Sequence, residues 1–368
     1  MSIPAVYLLR ERGEFGGTGL PILTVVSEYG VRVRDLDAGG RAIGEDLNGY
    51  RRVRTGDLVV NRLWARFGAY GVSEFDGLIS PAYWVLVPDA SQVDGRFLHS
   101  LLRSSKYLAE IRRLSKDMPP NGFDLPWDLF KRVSINLPSL ATQHAIADYL
   151  DRETARIDSV IEKKRRLLHL VDLQHKEFER QAIFQSGQPL IPLRWFMSIG
   201  SGMNLNNEDL VEDGCTLVVG GNGKIGLTNQ KSMIEEKSVV IGRVGALCGN
   251  VHLVEPPTWI TDNALLMTNL KSLTPDYLAV VLRAMDINSL ANKTAQPLIT
   301  GETIKSLAVP IPGKQKQLDL VRELDIARNR NQDKKRIIEA QIELFVERRN
   351  ALIAAAVTGE LKISEVAP

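Results

Sequence analysis

Cysteine is scarce in this sequence, and long apolar runs are missing. The two cysteines, Cys215 and Cys248, are too few for a disulfide framework and lack the spacing of a zinc site. No apolar run approaches the length that spans a bilayer. The first residues also show no basic region followed by an apolar stretch, as a secretory signal would. We therefore expect a reduced, cytoplasmic protein that binds no metal.

The motifs of common enzymes that act on nucleotides or DNA are also missing. Residues 223–225 read Gly-Lys-Ile, without the first glycine and the Ser or Thr of a phosphate-binding loop. Residues 119–121 read Pro-Pro-Asn, which is not the Asn-Pro-Pro order of amino-methyltransferases. A nuclease is one alternative, because residues 235–237 (Glu-Glu-Lys) with Asp213 upstream match part of a metal-dependent site. Such triplets often arise by chance, and the first half of the chain has no equivalent, so we expect no catalytic residues.

The charges of the chain nearly cancel. Lys and Arg number 46 against 44 Asp and Glu, which leaves a net charge of +2. This balance neither requires nor excludes a nucleic-acid partner. If the protein binds DNA, its basic residues must be sorted onto one face, or a partner must neutralise much of the phosphate charge.

What the sequence does contain is a diverged copy of itself. Residues 58–62 align with residues 239–243, so that Arg62 matches Arg243. Further matches, in chain order, pair residues 97–103 with 277–283, Pro138 with Pro312, Gln143 with Gln317, and Arg156 with Arg330. The common order of these matches indicates an internal duplication whose unit is about half the chain.

Both copies have the same plan. Each begins with a mixture of short apolar runs, glycines and short helical signals. The continuous apolar run at residues 83–87 predicts a buried strand, and residues 264–267 are its counterpart. A proline-marked segment then leads into a long charged stretch without Pro or Gly, at residues 140–186 and again at 314–358. The long stretches predict helices.

This plan predicts an α+β protein with a pseudo-two-fold internal repeat. Two globular domains are separated by two long helices that pair with each other as an antiparallel coiled coil. The predicted boundaries are residues 1–137 for the first domain, 138–187 for the first helix, 188–311 for the second domain, and 312–368 for the second helix and C-terminal tail.

Apolar residues in the two helices step by threes and fours, which is typical of a coiled-coil seam. The predicted seam residues are Ile146, Leu150, Ile157, Ile161, Leu168, Val171 and Phe178 in the first helix, and Leu320, Leu324, Ile338, Ile342, Phe345 and Leu352 in the second. Polar residues such as Asn331 and Lys335 interrupt the seam and would help to fix its register. The basic runs at residues 163–166 and 334–336 are interpreted as solvated helix faces rather than DNA contacts.

The arrangement of domain, long helix, domain, long helix resembles the specificity subunits of Type I restriction–modification enzymes. The segments that carry the resemblance are residues 55–62, 137–143, 218–226, 239–250, 260–264 and 296–298. It extends over nearly the whole chain, although no single motif decides it. The first copy departs from the pattern at residues 80–82, where Ser-Pro-Ala stands in place of the Thr-Asp-Asn at 261–263.

The resemblance implies a function. Each globular domain is then a target-recognition domain that reads one half of a bipartite site in double-stranded DNA. The helices would set the spacing and dock methylation subunits, expected to be two, and restriction subunits would join through the complex. S-adenosylmethionine, ATP and Mg²⁺ would belong to those partners, and this chain would be a non-catalytic subunit. The alternative is an interaction scaffold that does not bind DNA.

Base reading requires directional donors and acceptors, typically Arg or Lys toward guanine and Asn or Gln toward adenine. The candidates in the first domain are Arg62, Trp64, Arg66, Lys116 and Asn121. Those in the second domain are Asn222, Lys224, Arg243, Asn263, Lys293 and Gln296. Arg62 and Arg243 are the foremost candidates because the repeat places them equivalently. The alternative for each residue is an ordinary surface charge or a structural ion pair.

Overall fold

The computed structural model describes residues 2–27, 29–35, 47–118, 122–185, 187–245, 247–291 and 297–361. It divides into two compact units. The first unit comprises Met1–Lys164 together with Ala340–Pro368, and the second comprises Arg165–Glu339. Both divisions fall within long helices.

The first unit contains twelve strands and three short α-helices among its described residues, and parts of the two long helices. The strands are β1 (Ser2–Pro4), β2 (Leu9–Glu11), β3 (Leu23–Val26), β4 (Gly30–Val33), β5 (Arg51–Val53), β6 (Leu58–Asn61), β7 (Tyr70–Val72), β8 (Gly77–Ile79), β9 (Tyr83–Pro88), β10 (Lys116–Met118), β11 (Gly122–Asp124) and β12 (Ser134–Asn136). The helices are α1 (Gly95–Leu102), α2 (Ser105–Leu114), α3 (Trp127–Phe130) and the first part of α4 (Leu140–Phe184).

The main sheet of the first unit has the strand order β2-β9-β6-β7. Every residue of β6 is buried, as expected for an apolar run in the centre of a sheet. The predicted strand at residues 83–87 is confirmed as β9. Helix α1 begins at an Asp94 cap and buries Phe97 and Leu101 against this sheet. β10 and β11 form a separate two-stranded hairpin.

The second unit contains ten strands, two short α-helices and the remainder of the long helices among its described residues. The strands are β13 (Leu190–Pro192), β14 (Ser198–Ser201), β15 (Leu210–Val211), β16 (Thr216–Gly220), β17 (Gly223–Thr228), β18 (Ser238–Gly242), β19 (Val251–Val254), β20 (Thr258–Ile260), β21 (Ala264–Thr268) and β22 (Ala308–Pro310). The helices are α5 (Pro275–Ala284), α6 (Gly301–Ser306) and α7 (Lys314–Thr358), whose last part belongs to the first unit.

The internal repeat is confirmed by the order of the strands. The sheet β14-β21-β18-β19 of the second unit has the same chain order and pairing as β2-β9-β6-β7 of the first. The outer pairs β1-β12 and β13-β22 also correspond. The copies differ beside this sheet: the second unit has a four-stranded sheet, β15-β17-β16-β20. Among the described residues of the first unit, two two-stranded sheets, β3-β4 and β5-β8, take the place of that four-stranded sheet. The repeated scaffold therefore supports different surroundings in the two units.

The long helices α4 and α7 pack antiparallel within each unit. In the first unit Arg349 of α7 lies 3.0 Å from the carboxylate of Asp158, and Lys164 donates to Gln341 at 2.7 Å. The helix pair also adds Leu150 and Ala356 to the core of that unit. Residue numbers on α7 fall as those on α4 rise, which defines the antiparallel direction.

In the second unit the same two helices are joined by further ion pairs. Lys335 lies 2.9 Å from Asp172, and Arg328 lies 3.0 Å from Glu179. Polar residues that interrupt the predicted seam therefore have acidic partners on the other helix.

The predicted seam residues differ in burial. Ile146, Leu150, Ile157, Ile161, Leu324 and Ile338 are buried, and Leu168, Val171, Leu320, Ile342, Phe345 and Leu352 are half-buried. Phe178 departs from the pattern, because its side chain is 40% exposed. Beside Phe178, the two helices are joined by the ion pair between Glu179 of α4 and Arg328 of α7. No helix among the described residues is long and apolar enough to cross a membrane.

Candidate nucleic-acid interface

Arg62 directly follows β6 and is attached to the β10–β11 hairpin. Its Nε and Nη2 donate to the two carboxylate oxygens of Asp124 at 2.7 and 3.1 Å. The amide of Leu125 also donates to the carbonyl oxygen of Arg62. The hydrogen bonds to Asp124 raise the pKa of Arg62 above its ordinary value. Arg62 therefore holds the hairpin against the end of the central strand.

Arg66 lies one turn further along the chain, among aromatic rings. Its guanidinium carbon lies 3.9 Å from the ring centroid of Phe123 on β11, and Nη1 donates to Asp117 on β10 at 3.3 Å. The rings of Phe67 and Trp64 adjoin it: Phe67 lies 5.5 Å from Phe123 and 5.4 Å from Trp64, measured between centroids. Trp64 and Phe67 are exposed. The result is a cation stacked in an aromatic cluster at the surface.

Lys116 lies at the start of β10 and is exposed. The hairpin thus brings together Lys116, Arg62 and Arg66, three of the residues singled out in the first half of the sequence. Asn121, also predicted to contact DNA, lies outside the described residues.

Arg243 directly follows β18, as Arg62 follows β6. Its backbone amide donates to the carbonyl oxygen of Asn263, and its Nη1 donates to the hydroxyl of Ser201 at 3.2 Å. The Ser201 hydroxyl in turn donates to the carbonyl oxygen of Asp262. Arg243 therefore has hydroxyl and carbonyl neighbours where Arg62 has a carboxylate.

Asn222 lies close to this arginine because the backbones of Gly221 and Gly242, the residues before Asn222 and Arg243, approach each other without side chains between them. A Cβ atom at Gly242 would overlap the carbonyl oxygen of Gly221. Asn222 and Asn263 are exposed, and the side-chain amide of Asn250 donates to the Asn222 oxygen at 3.4 Å. The second unit therefore presents amide groups around Arg243.

Lys224 is exposed on β17, the strand that follows the turn carrying Asn222. Lys293 and Gln296, both predicted to contact DNA, lie outside the described residues.

Four neighbours of these sites do not emerge from sequence reasoning: Phe123, Asp124, Ser201 and Asn250. Asp124 is 62 residues from its partner Arg62, and Ser201 is 42 residues from Arg243. Neither pair occupies a repeated position in the two copies, so the internal alignment gave no signal for them.

The two arrangements can do related chemistry. Arginine presents a planar fork of donors that matches the acceptor pair of guanine, and side-chain amides match the donor and acceptor of adenine. The first unit offers arginine with aromatic rings, and the second offers arginine with amides and a hydroxyl.

The nuclease alternative depended on residues 235–237. Lys237 donates to Asp276 at 2.7 Å and lies 3.6 Å from Glu255. The hydrogen bond to Asp276 raises the pKa of Lys237, which keeps this amine protonated as an ion-pair partner. Within the described parts of the chain, no three His, Cys, Asp or Glu side chains are grouped to hold a metal ion.

Comparison with known proteins gives a sequence relative and several relatives in fold. The specificity subunit of the EcoprrI Type I restriction enzyme of Escherichia coli is 32% identical over 106 residues, which cover 29% of this chain and 26% of that protein. The match therefore spans about a quarter of the relative's length. No protein-family model matches the chain.

Two solved structures match almost the whole chain. A protein from a study of complex assembly in the type I R-M system matches with a TM-score of 0.76 and 15% identity, covering 98% of both chains. The HsdS subunit of Thermoanaerobacter tengcongensis matches with a TM-score of 0.55 and 14% identity, covering 98% of this chain and 97% of that one. The resemblance drawn from the sequence is confirmed, and at these identities the structural likeness establishes the fold.

Proposed function

We propose that the chain is the DNA-recognition subunit of a Type I restriction–modification enzyme and has no catalytic role of its own. The observation that carries the proposal is a scaffold that occurs twice, with an arginine, Arg62 or Arg243, directly after each central strand. Different polar groups surround the two arginines. A repeated scaffold with unequal recognition groups suits a bipartite DNA site with two different half-sites. The likeness to specificity subunits supports the same function.

Partner subunits would dock on the long helices. Leu167, Leu170 and Leu173 follow one another at helical spacing on α4, and each is nearly half exposed. Ile326 and Ile337 of α7 are more than half exposed. Exposed apolar groups of this kind mark surfaces that bind other proteins. We assign them to methylation subunits, two in the full assembly, through which restriction subunits join.

The chemistry would reside in those partners. S-adenosylmethionine would be bound by the methylation subunits, and ATP and Mg²⁺ by the restriction subunits, in a complex that assembles in the cytoplasm. This chain would select the DNA sequence at which the partners carry out their chemistry. Because its own net charge is only +2, the partners would also provide part of the positive charge that binds the phosphate backbone.

The test is to express the chain with its methylation partner in cells that lack other adenine methylation. N6-methyladenine is then mapped across the genome. We expect methylation within one split motif that has two unlike halves and a fixed spacer. The matched control is the methylation partner expressed alone, which we expect to leave no such motif. Methylation without a defined sequence, or none at all, would overturn the proposal.

A second measurement addresses the scaffold alternative. Binding of the assembled complex to random duplex DNA should weaken linearly on a log–log plot against salt concentration, because phosphate contacts release counterions. An interaction scaffold predicts no such binding at low salt.

A further inference from the structure

The two arginines that follow β6 have different surroundings. Arg62 directs both ends of its donor fork at the Asp124 carboxylate, at 2.7 and 3.1 Å. Bidentate pairs of this kind are among the stronger ion pairs. To bind a base with the same donors, Arg62 would have to give up its pair with Asp124 and one of the contacts that position the hairpin. Its geometry is that of a positioning residue.

Arg66 is held in another way. Its guanidinium is stacked over Phe123, with 3.9 Å between the guanidinium carbon and the ring centroid. Stacking fixes the plane of the guanidinium. The Nε of Arg66 is buried without a hydrogen-bond partner, so the Nη groups are the donors that an acceptor in that plane can reach. The single bond to Asp117 is 3.3 Å long, and the Asp117 side chain is 86% exposed. The Arg66 side chain is 25% exposed, but its carboxylate partner is solvated, so the pair is weak and a DNA acceptor can replace it.

The aromatic neighbours favour a base over a phosphate. Trp64 is 57% exposed and Phe67 is 42% exposed beside Arg66. Apolar rings gain free energy by covering sugars, thymine methyl groups or base faces, and little beside charged phosphate oxygens. The neighbours of Arg66 are therefore suited to the interior of a groove.

We infer that Arg66, stacked on Phe123, reads a guanine edge in the half-site recognised by the first unit. Arg62 positions the hairpin that carries Phe123 by binding Asp124. The inference rests on the proposed function. It assigns the base-reading role to Arg66 and a positioning role to Arg62.

The test uses the full chain assembled with its methylation partner and a randomised pool of DNA duplexes. For Arg66→Ala we expect discrimination to disappear at one G·C pair of one half-site. Affinity for the original site should fall by about ten- to a hundred-fold. Arg66→Lys should weaken this discrimination without abolishing it, because an ammonium can still reach guanine but lacks the planar fork that stacks on Phe123. Arg54→Ala is the matched control. It removes an exposed arginine that precedes β6 and is paired with Glu14, and it should leave the selected sequence unchanged.

A phosphate contact would give another pattern. Arg66→Ala would then weaken binding to all sequences alike and lower the salt slope by about one, and Arg66→Lys would preserve binding. That result would overturn the guanine assignment.

Asp124→Asn tests the positioning role. It breaks the pair while leaving Arg62 in place, so we expect the ratio of specific to random-DNA affinity to fall with the preferred bases unchanged. The exchanged pair, Arg62→Asp with Asp124→Arg, should recover part of that ratio. If Arg62 reads a base itself, Asp124→Asn keeps or raises the ratio, the exchanged pair recovers nothing, and the inference fails.

The wild-type selection separates this inference from the function on which it rests. If the wild-type complex selects no sequence, the proposed function fails and the inference fails with it. If it selects a split site and Arg66→Ala selects the same site, only the inference is overturned.

Discussion

Gln143 and Gln317 each stand at the fourth position of a long helix and share three equivalent hydrogen bonds. The Gln143 oxygen accepts from the amide of Asp94 at 3.0 Å, and its Nε2 donates to the carbonyl oxygens of Gln92 and Pro138. The Gln317 oxygen accepts from the amide of Thr274 at 2.8 Å. The Gln317 oxygen also accepts from the Thr274 hydroxyl at 3.2 Å. Its Nε2 donates to Ser272 and Pro312. Both side chains are buried. The duplicated sequence thus preserved the junction between each helix and its globular part.

Replacing Gln143 with Leu should destabilise the first unit by about 2–3 kcal/mol, because it leaves buried backbone groups without partners. Urea unfolding measures this effect, and the midpoint of the unfolding transition is the quantity compared. Gln174→Leu, at an exposed position on the same helix, is the control and should change the midpoint little. Equal midpoints for the two variants would show that the junction does not need these hydrogen bonds.

A half-buried histidine predicts a pH dependence in the first unit. His99 on α1 accepts a hydrogen bond from the amide of Val72 and lies against Gly71, where a Cβ atom would come within 2.9 Å of the ring. Burial, followed by the charges of Arg103 and Arg32, lowers the pKa of His99 to about 4. The unfolded chain therefore takes up a proton below about pH 6.5, and the folded chain does not.

The stability that depends on neutral His99 is thus present above pH 6.5 and is lost as the pH falls toward 4. The loss can reach about 3 kcal/mol. For His99→Gln we expect a flatter decline in the free energy of unfolding over this range than in the wild-type protein. His169→Gln, at an exposed position, is the control. A decline as steep in His99→Gln as in the wild type would assign the pH dependence to other groups.

The internal alignment was sufficient to place Arg62 and Arg243, because the apolar runs before them are the buried strands β6 and β18. The absence of Pro and Gly over residues 140–186 and 314–358 likewise predicted α4, which ends at Phe184, and α7. These features follow from local composition and from the repeat. They determine the scaffold of both units.

The partners of the site residues could not be predicted in the same way. Asp124 reaches Arg62 only because β10 and β11 form a hairpin that is not repeated in the described part of the second unit. The stacking of Arg66 on Phe123 depends on the same hairpin. Long-range pairs of this kind require the tertiary fold, and neither hydrophobic period nor self-alignment encodes them.

The approach of two glycine backbones in the second unit gives a further prediction. In Gly242→Ala the added methyl group would overlap the Gly221 carbonyl, so the turn that carries Asn222 must move. We expect a loss of stability of about 1–3 kcal/mol and a matching loss of affinity for the DNA site. Gly200→Ala, in strand β14 of the same sheet with open space around its Cβ position, should leave both unchanged. Thermal unfolding and DNA binding of the assembled complex provide the comparison. If the two variants behave alike, the close approach does not matter for the site.

The ion pair between Asp172 and Lys335 predicts how the helices respond to pH and salt. The hydrogen bond from Lys335 lowers the pKa of Asp172 from its ordinary value of 3.8. The contribution of the ion pair to stability is therefore complete above pH 3.8 and is lost as the pH falls through the lowered pKa of Asp172. Both side chains are partly solvated, so we expect the pair to contribute less than about 1 kcal/mol.

A double-mutant cycle with Asp172→Asn and Lys335→Met measures this contribution. The coupling free energy should be present at pH 7, shrink in about 1 M salt, where the screening length is near 3 Å, and vanish once Asp172 is protonated. The control is the more exposed pair of Asp333 and Arg336 on α7, separated by 3.9 Å, which should show less coupling. If coupling between Asp172 and Lys335 persists at low pH, the helices are joined there by packing of the side-chain stems rather than by charge.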